Sequence, residues 1–153
     1  MRKALPFLLL GSMTFGLLSS PAMAADTASQ KEANRQVVLN FYEKGLNEKN
    51  ADAALEYVGD KYIQHNPNAA DGPEGFKSYI AYLKQNHPQS HSEIKQSFVD
   101  GDYVILHVHA VRDPGERGNA IVDIFRLENG KIVEHWDVSQ AIPKKMAHDN
   151  GML

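Results

Sequence analysis

The chain of 153 residues contains no cysteine. That excludes disulfide staples, thiol nucleophiles, a lipidated cysteine and cysteine-ligated metal centres. It has one tryptophan and no internal repeat or low-complexity stretch. No phosphate-cradling glycine loop and no serine-nucleophile motif is present. A basic balance is also missing, since the formal charge is −3 and no basic stripe interleaves with aromatics. Nucleic acid is therefore not an expected partner. One long apolar stretch stands at the start, Leu5 to Leu18, and it is interrupted by Pro6 and Gly11. A permanent membrane span would need a longer uninterrupted run.

What is present at the start reads as an export signal. Arg2 and Lys3 precede the apolar segment, and Ala22-Met23-Ala24 is a small-x-small cleavage motif. The expected cut follows Ala24, which makes residues 1–24 a signal peptide and places the protein in the periplasm or outside the cell. No stable membrane anchor is expected after cleavage. Without Arg2 and Lys3 the formal charge falls to about −5. The remaining length fits one domain that can bury a core unaided, in an oxidising compartment where this chain forms no bridges.

Residues 25–30 are polar and read as a flexible segment. From about Ser29 to Asn47 the apolar spacing is helical, with Val37 or Val38, Phe41, Tyr42 and Leu46 on one side. Asn50 is a cap for a short helix over 51–58. Tyr62 to Pro67 is extended, and Pro73 opens a third helix over 74–86 carrying Phe76, Tyr79, Ile80 and Leu83. Beyond Pro88 the period becomes alternating, and strands are expected over 92–99, 103–112, 120–127 and 131–140. Helices followed by antiparallel strands give an α+β fold, with the helices packed on one face of a strongly curved sheet that forms a cone with an internal pocket. The domain spans 31–142, and residues 143–153 form a C-terminal tail.

The segment Asp123 to Asp137 is the most informative. Glu128-Asn129-Gly130 separates two strand-like runs. A three-residue loop pairs Leu127 with Lys131, so that Asp123 faces His135 and Ile121 faces Asp137. One face then carries Ile121, Asp123, Phe125, Val133, His135 and Asp137. The other carries Val122, Ile124, Arg126, Ile132, Glu134, Trp136 and Val138. A two-residue Asn-Gly turn would instead slip the register by one and send His135 and Asp137 to the opposite face. Ionisable groups on a covered face are costly unless paired or useful.

Tyr62-x-x-His65-Asn66-Pro67, Gly72-x-x-Gly75-Phe76, Asp123-Ile-Phe-Arg126 and Gly130-Lys-Ile-Val-Glu-His135-Trp136-Asp137 resemble the SnoaL-like polyketide cyclases. That family belongs to the superfamily with the nuclear-transport-factor-2 cone fold. The resemblance covers about residues 31–142. It implies a cofactor-free intramolecular aldol cyclisation with an aspartate as acid/base, the position of Asp137, and His135 as its neighbour in the pocket. It also implies a homodimer through the backs of the sheets, here through Val122, Ile124, Ile132 and Trp136.

The residues suit such chemistry. A base must take a proton alpha to a carbonyl, and donors must hold the enolate oxygen. Asp137 is the candidate base, Asp123 the partner of His135, and His65 a candidate donor at the pocket rim. His107 and His109 share one strand face with Tyr103, Ile105 and Val111; that face either lines the pocket or is a wetter surface, and one of the two histidines is expected in the pocket as a substrate contact. Phe125, Tyr62 and Tyr79 are candidate substrate contacts, and Tyr82 is a further possible donor. Two other functions fit the same residues. One is a periplasmic small-molecule binder without chemistry. The other is a metal site built from His65, His107, His109, His135, Asp123 and Asp137. Against the metal stand the distance between these segments and the resemblance, which implies neither metal nor cofactor.

Overall fold

The computed structural model describes residues 21–153, with side chains from residue 27 onward. The signal-peptide expectation for residues 1–24 lies outside the described residues except for the last four, whose backbone is helical. Helix α1 spans Pro21–Tyr42 and passes into a π-helical turn, Glu43–Asn47. Residues 25–30 are therefore helical and not an irregular segment. Helix α2 (Ala51–Leu55) is capped as expected, the Asn50 side chain accepting from the Ala53 amide at 3.1 Å. Strand β1 (Val58–Gln64) follows, then α3 (Gly72–Asn86), with a proline in its first turn. The remaining strands are β2 (His91–Asp100), β3 (Tyr103–Val111), β4 (Asn119–Glu128) and β5 (Lys131–Ala141). Among the described residues no helix is long and apolar enough to cross a membrane.

The sheet order is β1-β5-β4-β3-β2. Only β1 runs parallel to its neighbour β5; the other pairs are antiparallel. The helices cover one face of this curled, five-stranded mixed sheet. Their inward stripe, Val38, Phe41, Phe76, Ile80 and Leu83, packs on Val104, Leu106, Val108, Phe125, Leu127 and Ile132. Phe41 is the hub, with ring centroids 4.9 Å from Phe76 and 5.8 Å from Phe125. Truncating such a buried ring to alanine costs about 3–5 kcal/mol.

The β4–β5 hairpin corrects the expected register. Asn129 (φ 52°) and Gly130 (φ 73°) form a two-residue turn with both residues left-handed, and Glu128 pairs with Lys131. Leu127 pairs with Ile132, but the next pair is Arg126 with Glu134, so Val133 is the extra residue of a β-bulge. The bulge restores the parity that the short turn had shifted. Asp123, Phe125, His135 and Asp137 therefore share the inner face, as the three-residue reading expects, but with different partners. Asp123 faces Asp137, Phe125 faces His135, and Ile121 faces Ser139. Ile132 falls before the bulge and joins Leu127 inside, at 0% exposure, so it is not part of the outer face. Val133 packs over Gly59 of β1, where a β-carbon would lie 3.1 Å from the Val133 methyl.

Candidate active site

The inner faces of three strands, one helix and one loop converge on a small polar cluster. Asp123 from β4 and His135 from β5 are both buried. Diagonal on the inner face, they are joined by a 3.1 Å contact between Asp123 Oδ1 and His135 Nε2. The Tyr42 hydroxyl, at the end of α1, donates to Asp123 Oδ2 at 3.2 Å. His135 Nδ1 lies 3.1 Å from Gln64 Oε1 on β1. Asn66, in the loop after β1, donates its amide to both oxygens of Asp137, at 2.7 and 2.8 Å. The imidazole is held between rings: Phe125 at 4.6 Å and Tyr62, nearly parallel, at 6.4 Å.

Burial dominates the electrostatics. It raises the Asp123 carboxyl above the ordinary aspartate range, with the Asp137 charge adding to the shift and the bonds from His135 and Tyr42 opposing it. Burial likewise raises the Tyr42, Tyr62 and Tyr79 hydroxyls, so each keeps its proton at neutral pH. At Tyr79 the nearby Arg112 guanidinium opposes that shift.

Of the residues expected from sequence, Asp123, His135 and Asp137 are brought together, with Phe125 and Tyr62 packed against His135. Tyr79 lines a cleft of about 120 Å³ with Leu83, Ser92, Arg112, Ile121 and Ser139. Asp123 and Asp137 lie one same-face step deeper along β4 and β5 than Ile121 and Ser139. A larger cavity, about 450 Å³, sits at the other end between α1 and the hairpin turn, lined by Gln30, Asn34, Asp102, Leu127, Asn129 and Gly130. It has no titratable cluster and lies away from the chemistry.

His65, His107 and His109 do not line the interior. Along β1 and its exit, side chains alternate, so Tyr62, Gln64 and Asn66 point in and His65 points out. His65 stacks flat on Trp136 at 4.6 Å and contacts Glu134 Oε1 at 2.9 Å. On β3, Leu106 and Val108 occupy the inner positions, at 0% exposure. His107 and His109 are thereby turned to the outer face, where His109 Nε2 meets the Arg117 carbonyl at 2.8 Å. Tyr82 is exposed on α3 against His87. The six-residue metal set is thus divided between two faces. The inner donors Asp123, His135 and Asp137 lie within 4.8 Å of one another, a spacing compatible with a cation. Each of them is already matched by Tyr42, Gln64 or Asn66, which is the arrangement of a closed hydrogen-bond network. Sequence reasoning missed those three partners. Asn66 stood inside a quoted motif without a role, and Tyr42 stood on the inward stripe of α1 as core.

Residues 38–135, more than half of the chain, match the family model of the SnoaL-like domain. No curated protein matches significantly. Solved structures share the fold. A nuclear-transport-factor-2-like protein of unknown function from Cytophaga hutchinsonii superposes with a TM-score of 0.58 at 21% identity, covering 70% of this chain and 89% of that one. A candidate polyketide cyclase from Acidithiobacillus ferrooxidans gives 0.59 at 19% identity, covering 70% and 87%. AclR, a candidate hydroxylase from Streptomyces galilaeus, gives 0.60 at 16% identity, covering 72% and 90%. The different activities in those names fit a fold that hosts more than one chemistry. With its curled mixed sheet, its helical cover and this match, the chain belongs to the SnoaL-like domain family.

Proposed function

We propose that the chain is an exported, cofactor-free acid/base enzyme acting on a small carbonyl or hydroxylated compound, by aldol-type cyclisation, isomerisation or a lyase reaction. The observation that carries this reading is the Asp137 carboxylate. It is half-buried, held at both oxygens by one amide, and set beside the buried Asp123–His135 pair, two residues along β5 from Ser139 of the small cleft. Asp137 takes the proton alpha to the substrate carbonyl. The Tyr79 hydroxyl on the cleft wall, which retains its proton, donates to the oxygen on which charge develops. The Asn66 amide keeps the base in one rotamer between turnovers. Export is supported by the sequence alone, through the basic start, the apolar segment and Ala22-Met23-Ala24.

Asp137→Asn preserves the shape of the side chain and removes the base. It is expected to fold normally and to lose turnover by at least about 100-fold. An unchanged rate with the authentic substrate would remove Asp137 from this role. A second reading, a small-molecule binder without chemistry, is favoured by one observation: the polar groups around Asp137 already satisfy one another. Native mass spectrometry of the protein taken from its own compartment identifies a retained ligand. Recovery of that ligand chemically changed after incubation decides for the enzyme.

A further inference from the structure

The hydrogen bonds around His135 determine where one proton sits. The Gln64 side-chain oxygen accepts the Asn66 backbone N–H at 2.8 Å. The amide orientation follows, because a nitrogen at that position would set donor against donor. The Gln64 amide nitrogen points the other way, toward the Tyr62 hydroxyl at 3.4 Å. His135 Nδ1 lies 3.1 Å from the same Gln64 oxygen. An oxygen can only accept, so Nδ1 must carry hydrogen. In a neutral ring Nε2 is then a bare acceptor. It faces Asp123 Oδ1 at 3.1 Å, and two acceptors do not hold that distance without a proton between them. The proton sits either on the carboxyl, donating to Nε2, or on the ring, donating to the carboxylate. The proton count and the net charge of the pair are the same in both forms.

The groups facing the pair come from every neighbouring element. Tyr42 approaches from α1 and Tyr62 from β1; Tyr79 and Asp137 act on the surrounding hydroxyls and carboxyls from α3 and β5. None of these supplies a competing cation to neutralise Asp123.

We propose that Gln64 is a positioning residue that locks His135 in its Nδ1-protonated form, so that the Asp123–His135 pair holds one proton beside the Asp137 carboxylate. The inference deepens the acid/base reading and relies on it only for its catalytic meaning. Under that reading the site contains a loaded acid and a free base at the same pH, from three ionisable side chains on two adjacent strands.

The test is the protonation pattern of the His135 ring in the full chain, labelled with ¹⁵N-histidine and read by long-range ¹H–¹⁵N correlation at neutral pH, with a His135→Asn variant assigning the signals. The wild type is expected to show a protonated Nδ1. Gln64→Glu keeps the acceptor and is expected to keep that pattern. Gln64→Leu removes the acceptor and is expected to move the ring hydrogen to Nε2, facing an ionised Asp123. A wild-type ring with bare Nδ1 overturns the proposal, as does a folded Gln64→Leu chain with an unchanged pattern. Should Gln64→Leu not fold, the wild-type spectrum and Gln64→Glu still decide. The readout needs no substrate. If Asp137→Asn keeps its turnover while Nδ1 is found protonated, the assignment of Asp137 as the base fails and the proton assignment stands.

Discussion

Asp123 and Asp137 face each other across β4 and β5, and like charges placed directly opposite oppose strand pairing. The cluster tolerates them through separate partners, Tyr42 and His135 on one carboxyl and Asn66 on the other. Since burial raises the Asp123 carboxyl, the native chain holds this proton at a higher pH than the unfolded chain does. Its contribution is complete below the ordinary aspartate value, about pH 4, and is lost as pH rises through the native value. Wild-type stability relative to Asp123→Asn is therefore expected to fall between about pH 4 and pH 7. Urea midpoints of both chains at the two pH values check this, and a constant gap would contradict it. Asn66→Ala leaves both Asp137 oxygens without their donor, at an expected cost of about 1–2 kcal/mol for a half-buried carboxylate. The same change in an Asp137→Ala background should cost much less, which unfolding midpoints of the double-mutant cycle would show. Alternation along β4 and β5 made Asp123, His135 and Asp137 legible as one face. Asn66 and Tyr42 were not legible in the same way, because their bonds to the site join residues 71 and 81 positions apart. Local pattern also assigned the wrong neighbour: His65 has the more reactive side chain, but the inward position belongs to Asn66.

At the level of elements, the β4–β5 hairpin combines a two-residue turn with a bulge, and each offsets the parity change of the other. The bulge left no trace in the sequence because Ile132 and Val133 are both apolar and suit either face. The Asn-Gly turn signal was visible, but it could not say which of two registers held. Deleting Val133 would let a regular ladder run from the turn, with Ile132 against Leu127, Glu134 against Arg126 and His135 against Phe125, so that His135 and Asp137 stay on the inner face. The expected cost is that of the buried Val133 side chain over Gly59, about 1.5–3 kcal/mol, measured as a lowered urea midpoint; a chain that no longer folds would show that the bulge itself is required. Gly130→Ala is expected to cost about 1 kcal/mol or more. Nothing stands within 4 Å of the added carbon, so the cost is that of a left-handed alanine and not of a clash. The helices were more legible, since Asn50 and Pro73 mark two starts. The early start of α1 was not, because its first turns lack an inward apolar stripe.

For the whole molecule, the progression from helical to alternating periods was enough to give the layered α+β plan, whereas the parallel placement of β1 beside β5 had no local signal. The outer sheet face carries Val122, Ile124, Trp136 and Val138, and Val138 is 69% exposed. We propose that this face, now without Ile132, joins two copies of the chain. Val138→Glu is expected to shift the protein from dimer to monomer in sedimentation velocity, and a wild type that sediments as a monomer would dismiss the interface. The parallel pairing of β1 with β5 also has a kinetic consequence. Strand β1 is made early but has no β-partner until β5 is complete, some 70 positions later. Loop closure of that length must precede its reward, which slows folding of mixed topologies. The inner faces of α1 and α3 are equally without cover until β3 to β5 arrive. A chain stopped before β5 leaves β1 without a partner strand and the inner helix faces only partly covered, and is expected to lack the cooperative unfolding transition of the full chain.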